Sequence, residues 1–357
     1  MKMNIYVLCG GKSVEHEVSL KSASAIINSI NKEKYNVYPI YITNEGIWSY
    51  SGLQVDKINN PIDLKLSNSS TIEFSMAEFL TTALKKDEKN LVFPALHGPN
   101  GEDGTIQGFL EILDIPYVGN EVLSSSLAMD KVVTKDLFAT HNIPQGDYVS
   151  IRNFNWKEDE DKCYKLVEDK IGYPSYVKPA NSGSSVGISR VENLEELKAA
   201  FKEAFLYDTK IVVEKEIVAR EMQISVIGNN YPKASLPGEF IMERAFFDYN
   251  AKYIDGKLIP VVPAKLTDEV TQKVRDLAEE SFKVLNCHGL ARVDIFVTDE
   301  NEIFVNEVNT MPGFTPFSMT PVLWEATNGT SYSELVEWLI DLALERYEEK
   351  GSIINMR

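Results

Sequence analysis

Two short runs of alternating apolar and polar residues in the last quarter of the chain constrain the fold more than any other stretch. Ala291, Val293, Ile295 and Val297 alternate with polar or aromatic residues, and the run that begins at Ile303 alternates in the same way. A period of two predicts β-strands, and the polar residues between the runs predict a turn. The sequence therefore predicts an antiparallel hairpin here.

The register of this hairpin depends on its turn. If the turn is the two-residue stretch that begins at Glu300, Asp294 lies opposite Glu307 and Arg292 lies opposite Asn309. Two opposed carboxylates on a largely apolar hairpin repel each other, which favours either a raised pKa on one of them or a bound cation. Oxygen ligands without His or Cys are the set that Mg²⁺ prefers beside phosphate, so we expect a cation site. The alternative is an outer hairpin face in contact with water.

Length and composition limit the class of protein. A chain of 357 residues with 44% apolar content is expected to form two or three domains. The formal charge of −17 opposes binding to nucleic acid or to anionic membranes. Three distant cysteines without metal-binding spacing favour a reducing compartment, and neither a membrane-spanning run nor a cleavable signal is recognisable. We therefore expect a cytoplasmic protein with no nucleic-acid or membrane partner.

The first third of the chain predicts an open, parallel α/β layer that ends near Gly119. Its predicted strands cover residues 4–9, 37–42 and 91–96, and its predicted helices cover residues 18–30 and 75–84. Glu15 follows the first strand, and His97 opens a glycine-rich loop after the third. Open α/β sheets bind ligands at the carboxyl ends of their strands, so Glu15 is a candidate to hold an ammonium group. His97 is either a site residue or a structural histidine.

The middle of the chain combines lysines with a loop of small residues. A single helix is predicted over residues 124–141, and its Lys131 and Lys135 could simply form a solvated face. Strands are predicted at 175–179 and 188–191. The small-residue loop between them, with Lys178 at its base, can fold over a triphosphate, although an ordinary flexible loop is the alternative.

The remaining segments predict a cleft and a lid. A strand over residues 210–217 and another over 221–226 flank a domain boundary, where Glu214, Lys215, Ile217 and Glu221 would line a cleft. Residues 237–264 show no clear period and are rich in aromatic residues, so we expect a lid loop. Helices are predicted over residues 267–284 and 331–349, the second with a capping box.

Several segments taken together resemble a known family. In order along the chain they are EHEVS, HGPNGEDG, MDK, VKPANSGSSVG, VEKEI, DYNAKY, ARVDIFV and NEVNTMPGFTPFSM. From about residue 4 to residue 348 the chain resembles the D-alanine–D-alanine ligases of the ATP-grasp superfamily. The resemblance implies an α/β ATP-grasp fold with three domains, residues 1–121, 122–216 and 217–357. ATP would bind between the last two, under the lid loop 237–264.

The same resemblance implies roles for individual residues. Lys131 and Lys178 would contact phosphate, and Asp294, Glu307 and Asn309 would hold two Mg²⁺ ions, which Mn²⁺ can replace. The remaining ATP-binding residues would be Ser184, Ser185, Glu214, Lys215, Ile217, Glu221, Lys252, Asn306 and, in addition to its metal role, Glu307. The catalytic and substrate-binding residues would be Glu15, His97, Ser184, Tyr253, Arg292, Gly313, Ser318 and Met319.

The implied reaction joins two D-alanine molecules through an acyl phosphate at the expense of ATP, for peptidoglycan synthesis, in a homodimer. A D-alanine–D-lactate ligase shares these catalytic groups, and Tyr253 would discriminate against it. Other carboxylate–amine ligases of the superfamily should lack EHEVS and the segment that follows the hairpin. A nucleotide-binding protein without turnover is expected to have lost one of Arg292, Asp294, Glu307 or Asn309, and all four are present.

Overall fold

The computed structural model describes residues 2–84, 88–241 and 259–353, and its strands form three sheets. Strands β1 to β14 cover Met3–Gly10, Tyr35–Ile42, Trp48–Tyr50, Asn90–Pro94, Tyr148–Arg152, Ser175–Pro179, Ser189–Val191, Lys210–Lys215, Arg220–Gly228, Lys233–Ala234, Gly238–Ile241, Ile259–Val261, Gly289–Val297 and Ile303–Asn309. Helices α1 to α11 cover His16–Ser29, Ile72–Glu78, Thr105–Ile112, Val122–Met129, Lys131–Thr140, Asn153–Glu158, Glu160–Lys170, Leu194–Ala204, Asp268–Val284, Met319–Asn328 and Tyr332–Gly351. A 3₁₀ helix, Pro61–Leu64, and a π-helical turn, Phe79–Ala83, complete the helical segments.

The first sheet has the strand order β3-β2-β1-β4. Strand β1 pairs in parallel with β2 and β4, whereas β3 pairs with β2 in the antiparallel direction. A strand covered on both faces reads as a continuous apolar run, as Ile5 to Cys9 do. The predicted parallel layer is confirmed. Its loops after β1 and β4 carry Glu15 and His97 to the same edge.

The second sheet has the order β5-β8-β6-β7, with all three pairings antiparallel. Strand β8 is central, so its backbone groups are engaged on both sides. Helices α7 and α8 contribute Val167, Leu197 and Phe201 to the core of this sheet. The small-residue loop connects β6 to β7, as predicted, and therefore projects from the edge of the sheet.

The third sheet has the order β12-β11-β9-β13-β14, and β10 also pairs with β9. The alternate residues Ala291, Val293, Ile295 and Val297 are buried against helix α9, which confirms the predicted face. The segment expected as a loop over residues 237–264 begins and ends as paired strands, with Glu239 opposite Val261. Edge pairing gives the two ends of this segment backbone hydrogen bonds that a loop would lack.

The hairpin register is confirmed at the site but the predicted turn is wrong. Asp294 pairs with Glu307 and Arg292 with Asn309, whereas Val297 pairs with Ile303. The shift between Asp294 and Ile295 is a β-bulge, in which Asn306 has no opposite residue. The turn is therefore one residue longer than expected, since Thr298 N–H donates to the Glu302 carbonyl across it. A bulge re-aims the side chains beside it, and both Asn306 and Glu307 line the same cavity.

The helix predicted over residues 124–141 is two helices, α4 and α5. The Asp130 side chain accepts hydrogen bonds from Val132 N–H and Val133 N–H, so it is the N-cap of α5. A capping residue has extended rather than helical dihedral angles, and Asp130 has ψ of 99°. The chain therefore turns at Asp130 and places Lys131 in the first turn of a new helix.

The two ends of the chain share one core. Ile5, Val7 and Phe93 of the first sheet pack in one cluster with Trp324 and Leu339 of the last two helices. The capping box at Ser331 is confirmed, because Ser331 and Glu334 each bond the other's backbone N–H. This packing fixes the first sheet against the third, so the loops at their adjoining edges face each other.

Candidate active site

A cavity of about 770 Å³ lies between the second and third sheets. This volume is within the range of small-ligand pockets, roughly 300–1,000 Å³. Eight of the residues predicted to bind a nucleotide line it: Lys178, Ser185, Glu214, Lys215, Ile217, Glu221, Asn306 and Glu307. Tyr176, Phe240 and Phe296 supply aromatic surface. Residues from three distant parts of the chain therefore meet in one nucleotide-sized space.

A buried carboxylate with two lysines lies in the wall of this cavity. Lys178 Nζ is 2.6 Å from one oxygen of Glu214, and Lys135 Nζ is 3.2 Å from the other. Burial alone raises the pKa of Glu214, but the two ammonium groups outweigh burial and lower that pKa to about 2. Lys135 is 4% exposed, so the alternative that this lysine belongs to a solvated helix face is wrong.

Lys131 connects the cavity to the small-residue loop. Its ammonium donates to the Ser182 carbonyl at 2.7 Å and lies 3.9 Å from Glu307 Oε2. In the loop, Ser184 and Ser185 have φ of 52° and 58°, a left-handed conformation that non-glycine residues rarely adopt. Consecutive left-handed residues turn the loop sharply back towards the first sheet.

The small-residue loop contacts the first β–α loop. Ser184 Oγ donates to Glu15 Oε1 at 2.6 Å, although the two residues are 169 positions apart. A Cβ atom built on Gly98 would come within 2.8 Å of Glu15 Oε2, so this glycine leaves room for the carboxylate. Glu15 therefore lies where this cavity adjoins the loops of the first sheet.

Glu102 lies beside the candidate site and is not among the residues predicted from the sequence. Its two carboxylate oxygens accept Gly98 N–H at 2.6 Å and Met311 N–H at 3.0 Å. Burial raises the pKa of Glu102 to about 8, and the negative charge of Glu15 acts in the same direction. Its place in the predicted HGPNGEDG loop was the available signal. The side chain fastens that loop to the segment after β14.

His97 is fully bonded and buried. Its Nδ1 lies 2.9 Å from the Met311 carbonyl, which can only accept, so Nδ1 carries the proton. Its Nε2 therefore accepts from Ser22 Oγ at 2.9 Å, and Ser22 Oγ in turn accepts Phe314 N–H at 3.1 Å. Burial lowers the pKa of His97, in agreement with this neutral form. Both ring nitrogens serve to hold the segment that contains Gly313.

Gly313 and Ser318 lie close together beyond this network. A Cβ atom on Gly313 would lie 3.7 Å from Ser318 Oγ. Ser318 precedes helix α10, and Met319 is its first residue, buried at 4% exposure. The N–H groups at a helix N-terminus favour a carboxylate or phosphate. Lys252 and Tyr253 fall outside the described residues.

Arg292 and Asp294 form a buried ion pair on β13. Two guanidinium nitrogens donate to the two Asp294 oxygens, each at 2.7 Å, and Asn309 Nδ2 donates to Asp294 Oδ2 at 3.3 Å. Burial raises the pKa of Asp294 to about 6, although Arg292 acts against that rise. Of the two responses expected for opposed carboxylates, the raised pKa is present at Asp294, with burial as its main cause and Glu307 as a smaller one.

The donor set fits a hard divalent cation. Asp294 pairs with Glu307 on one side and with Gln223 on the other, so three oxygen-bearing side chains cross neighbouring strands. The Gln223 amide oxygen is buried and has no hydrogen-bond partner within the described part of the chain. Within residues 2–84, 88–241 and 259–353, no three His, Cys, Asp or Glu side chains form a metal cage by themselves. A cation here would need other oxygen ligands, such as phosphate.

The fold and site define the class of protein. Two adjoining antiparallel sheets enclose a nucleotide-sized cavity, with a small-residue loop and lysines on one side and acidic side chains on the other. This is the ATP-grasp fold, found in enzymes that use ATP to join a carboxylate to an amine. None of the helices in the described ranges combines the length and apolar character needed to cross a lipid bilayer.

The comparisons define the family. A family model described as D-ala D-ala ligase N-terminus matches residues 4–120, and one described as D-ala D-ala ligase C-terminus matches residues 137–341. The chain belongs to the D-alanine–D-alanine ligase family. It is 51% identical over 349 residues to the D-alanine–D-alanine ligase of Staphylococcus saprophyticus, covering 98% of this chain and 97% of that relative.

Solved structures agree with this assignment. The D-alanine–D-alanine ligase from Coxiella burnetii has a TM-score of 0.81 and 34% identity, covering 99% of this chain and 97% of that one. The VanG D-Ala:D-Ser ligase from Enterococcus faecalis has the same TM-score and identity, covering 96% of this chain and 100% of that one. The fold is therefore shared with ligases that differ in their second substrate.

Proposed function

We propose that this chain joins two D-alanine molecules to D-alanyl-D-alanine with ATP, in a single site assembled from its three sheets. The observation that carries the proposal is the 2.6 Å hydrogen bond from Ser184 to Glu15, because it connects the nucleotide loop to the candidate amino-acid pocket. We also propose three domains, residues 1–121, 122–216 and 217–357. The separation of the sheets along the chain supports this division.

The nucleotide end of the site follows from the cavity. Glu214, Lys215 and Ile217 would bind adenine, and Glu221 would bind the ribose. Asn306 Nδ2 donates to Glu221 Oε1 at 3.0 Å, which supports a role for Asn306 in orienting that carboxylate. Lys131, Lys178, Ser184 and Ser185 would surround the phosphates, and their closeness to the cavity supports that role. Positive charge here offsets the acidic charge of the whole protein.

Asp294, Glu307 and Asn309 would hold two Mg²⁺ ions, with Mn²⁺ as a substitute. When bound, the metal neutralises charge on the phosphate oxygens. The chain's own contribution is to fix the donors, because Arg292 and Asn309 both hold Asp294 in one orientation. The unpartnered oxygen of Gln223 beside Asp294 supports a site for a hard cation.

The reaction would proceed in two steps. The carboxylate of the first D-alanine attacks the γ-phosphorus of ATP, and ADP leaves, which gives an acyl phosphate. The neutral amine of the second D-alanine then attacks the acyl carbon, phosphate leaves, and the amine loses a proton. A carboxylate is a poor electrophile, whereas a mixed anhydride has a good leaving group. The lysines stabilise negative charge during phosphoryl transfer.

Five residues of the amino-acid pocket would serve these steps. Glu15 would hold the ammonium group of the first D-alanine, and Arg292 with the Gly313 N–H would stabilise the tetrahedral oxyanion. Ser318 and the Met319 N–H would take the second carboxylate, supported by their position at the start of α10.

Three further residues would act around this pocket. His97 would lie near both substrates without transferring a proton, since both of its ring nitrogens are engaged. Lys252 would bind ATP from the lid segment, and Tyr253 would close the lid over the site by bonding Ser184 and Glu15. A closed lid would protect the acyl phosphate from water.

The proposal also covers the cellular role, the compartment and the oligomeric state of the enzyme. The product is a dipeptide of peptidoglycan precursors, so we propose a role in cell-wall synthesis in the cytoplasm. We also propose a homodimer. Gel filtration with light scattering would measure the mass in solution, and twice the chain mass of 40.2 kDa is expected.

The test is phosphate release by purified protein with ATP and Mg²⁺ over pH 6 to 9. D-Alanine is supplied alone, then with D-lactate or with D-serine, and the product is identified by mass. D-Alanyl-D-alanine from D-alanine alone supports the proposal, and EDTA should abolish its formation. A depsipeptide as the main product would indicate a D-alanine–D-lactate ligase. Absence of D-alanine-dependent turnover would refute the ligase.

A further inference from the structure

We propose that Lys135 makes the nucleotide site selective for adenine, by holding Glu214 as a charged hydrogen-bond acceptor that faces the base. Lys135 is a positioning residue in this proposal, because it lies behind the cavity wall and acts through Glu214. The inference rests on the nucleotide site of the proposed function and adds the residue that sets its base preference.

The contacts of Lys135 place it out of reach of the ligand. It lies on α5, one helical turn after Lys131, and is 4% exposed. Its ammonium is 3.2 Å from Glu214 Oε1 and 5.4 Å from the centre of the Tyr148 ring. Removing an ammonium from water is costly without a partner, so this arrangement is stable only with Glu214 charged.

Glu214 reaches the cavity only through its side chain. It lies on the central strand of the second sheet, opposite Tyr148 on β5 and opposite Tyr176 on β6. Its backbone groups therefore belong to the ladders on both sides, whereas its side chain lines the cavity. Within Glu214, the carboxylate is therefore the group that can distinguish one base from another.

The two lysines have different freedom when a nucleotide binds. Lys178 lines the cavity and holds Glu214 Oε2 at 2.6 Å, and the same ammonium is the proposed phosphate ligand. A triphosphate will draw Lys178 partly away from Glu214. Lys135 cannot turn towards the triphosphate, because it is buried behind the cavity wall. It remains the constant countercharge of the carboxylate in the nucleotide complex.

A charged carboxylate accepts hydrogen bonds and donates none. The 6-amino group of adenine donates to it, whereas the 6-keto oxygen of guanine would repel it. A neutral Glu214 could donate as well as accept, and would lose this discrimination. A buried charged acceptor therefore selects ATP over GTP, and Lys135 maintains that charge.

The test compares Lys135→Met with the unmodified protein in calorimetric binding of three triphosphates with Mg²⁺, without D-alanine. The nucleotides are ATP, GTP and purine riboside triphosphate, which lacks the 6-amino group. We expect ATP affinity to fall about tenfold to a hundredfold, the range for a hydrogen bond to a charged group. The affinity for purine riboside triphosphate should change less than about twofold, because this nucleotide has no 6-amino group to bond Glu214. Discrimination against GTP should fall by a similar factor to ATP affinity.

Two further variants separate this role from a structural one. Glu214→Gln combined with Lys135→Met should lose no more ATP affinity than Glu214→Gln alone, since Lys135 acts through Glu214. Lys210→Met is the matched control, because Lys210 is a mostly buried lysine on the same strand as Glu214 and pairs with Asp130, the cap of α5. Loosening α5 in this way should affect the three triphosphates equally.

Equal losses for ATP and purine riboside triphosphate in Lys135→Met would overturn the proposal. Additive losses in the double variant would overturn it as well. The ligase assignment is tested separately by D-alanine-dependent phosphate release from the unmodified protein, so either idea can fail alone. Thermal unfolding of each variant without nucleotide confirms that it folds, which we expect because Lys178 still pairs with Glu214.

Discussion

Replacing Ser22 by alanine should disturb the site, although Ser22 itself has no proposed contact with a substrate or with ATP. Ser22 is fully buried on α1 and bridges His97 Nε2 and Phe314 N–H. The Ser22→Ala variant leaves one buried acceptor and one buried donor without a partner. Its effect therefore falls on the segment that presents Gly313.

The magnitude follows from those two groups. A buried polar group that loses its partner costs about 1–3 kcal/mol, so for the two groups together we expect the free energy of unfolding to fall by about 2–6 kcal/mol. A displacement of Gly313 by an ångström would lower kcat/KM for D-alanine by up to about a hundredfold. Binding of ATP alone should be unchanged, because the nucleotide cavity lies at the other end of the site.

The assay is urea unfolding at pH 7.5, with steady-state kinetics for D-alanine and calorimetry for ATP. Ser29→Ala is the matched control, since Ser29 is on the same helix and its hydroxyl donates to the Ile26 carbonyl one turn back. The free energy of unfolding of this control should fall by less than about 0.5 kcal/mol, because water easily replaces a local hydrogen bond on a helix. If Ser22→Ala is no less stable than Ser29→Ala and keeps full kcat/KM, Ser22 does not hold the segment that contains Gly313.

Three further predictions concern charged groups and the loop contact. The pKa of Glu102 is raised to about 8, above that of a glutamate in the unfolded chain. The native state therefore binds a proton that the unfolded state has lost, and this proton stabilises the native state. The stabilisation decreases as the pH rises and is lost once the pH passes about 8. Between pH 5.5 and 8.5, the free energy of unfolding of the unmodified protein, measured in urea, should fall by about 2–3 kcal/mol more than that of Glu102→Gln. The same pH dependence for both proteins would contradict the raised pKa. Arg292→Met strands the buried Asp294 carboxylate, so we expect a loss of about 3–5 kcal/mol by the same method, and an unchanged stability would show that the pair is not buried in solution. Ser184→Ala removes the bond to Glu15 and should lower kcat/KM for D-alanine about tenfold, by a larger factor than it lowers ATP affinity in calorimetry; a loss of ATP affinity with unchanged kcat/KM for D-alanine would argue against the contact.

Much of the strand pattern could be predicted from short-range periodicity. The hairpin, the parallel first layer and the 175–179 strand were predicted correctly, because the alternation of buried and exposed residues is a local property. The pairing of Asp294 with Glu307 and of Arg292 with Asn309 was predicted correctly for a different reason. A longer turn and a bulge at Asn306 compensate for each other, and neither leaves a mark in the hydrophobic pattern.

The site was predicted where ligand-capable residues lie near the ends of strands in recognisable segments. Lys178, Glu214 and Glu307 were identified in this way and do line one cavity. Lys135 and Glu102 were not identified as site residues. A lysine one turn from another is usually solvated, and nothing along the chain reports that the second sheet covers Lys135. The single predicted helix also obscured the turn at Asp130 that orients both lysines.

The sequence by itself determined the local elements and the order of the family's segments, because these depend on residues a few positions apart. Only the tertiary structure decided which groups became partners across the chain. Ser184 bonds Glu15 across 169 positions, and His97 bonds the Met311 carbonyl across 214. Such contacts depend on strand register, sheet order and burial, which together fix the charge and orientation of a side chain. The physical reason is that polar groups acquire their function from the partners that remain when water has been removed.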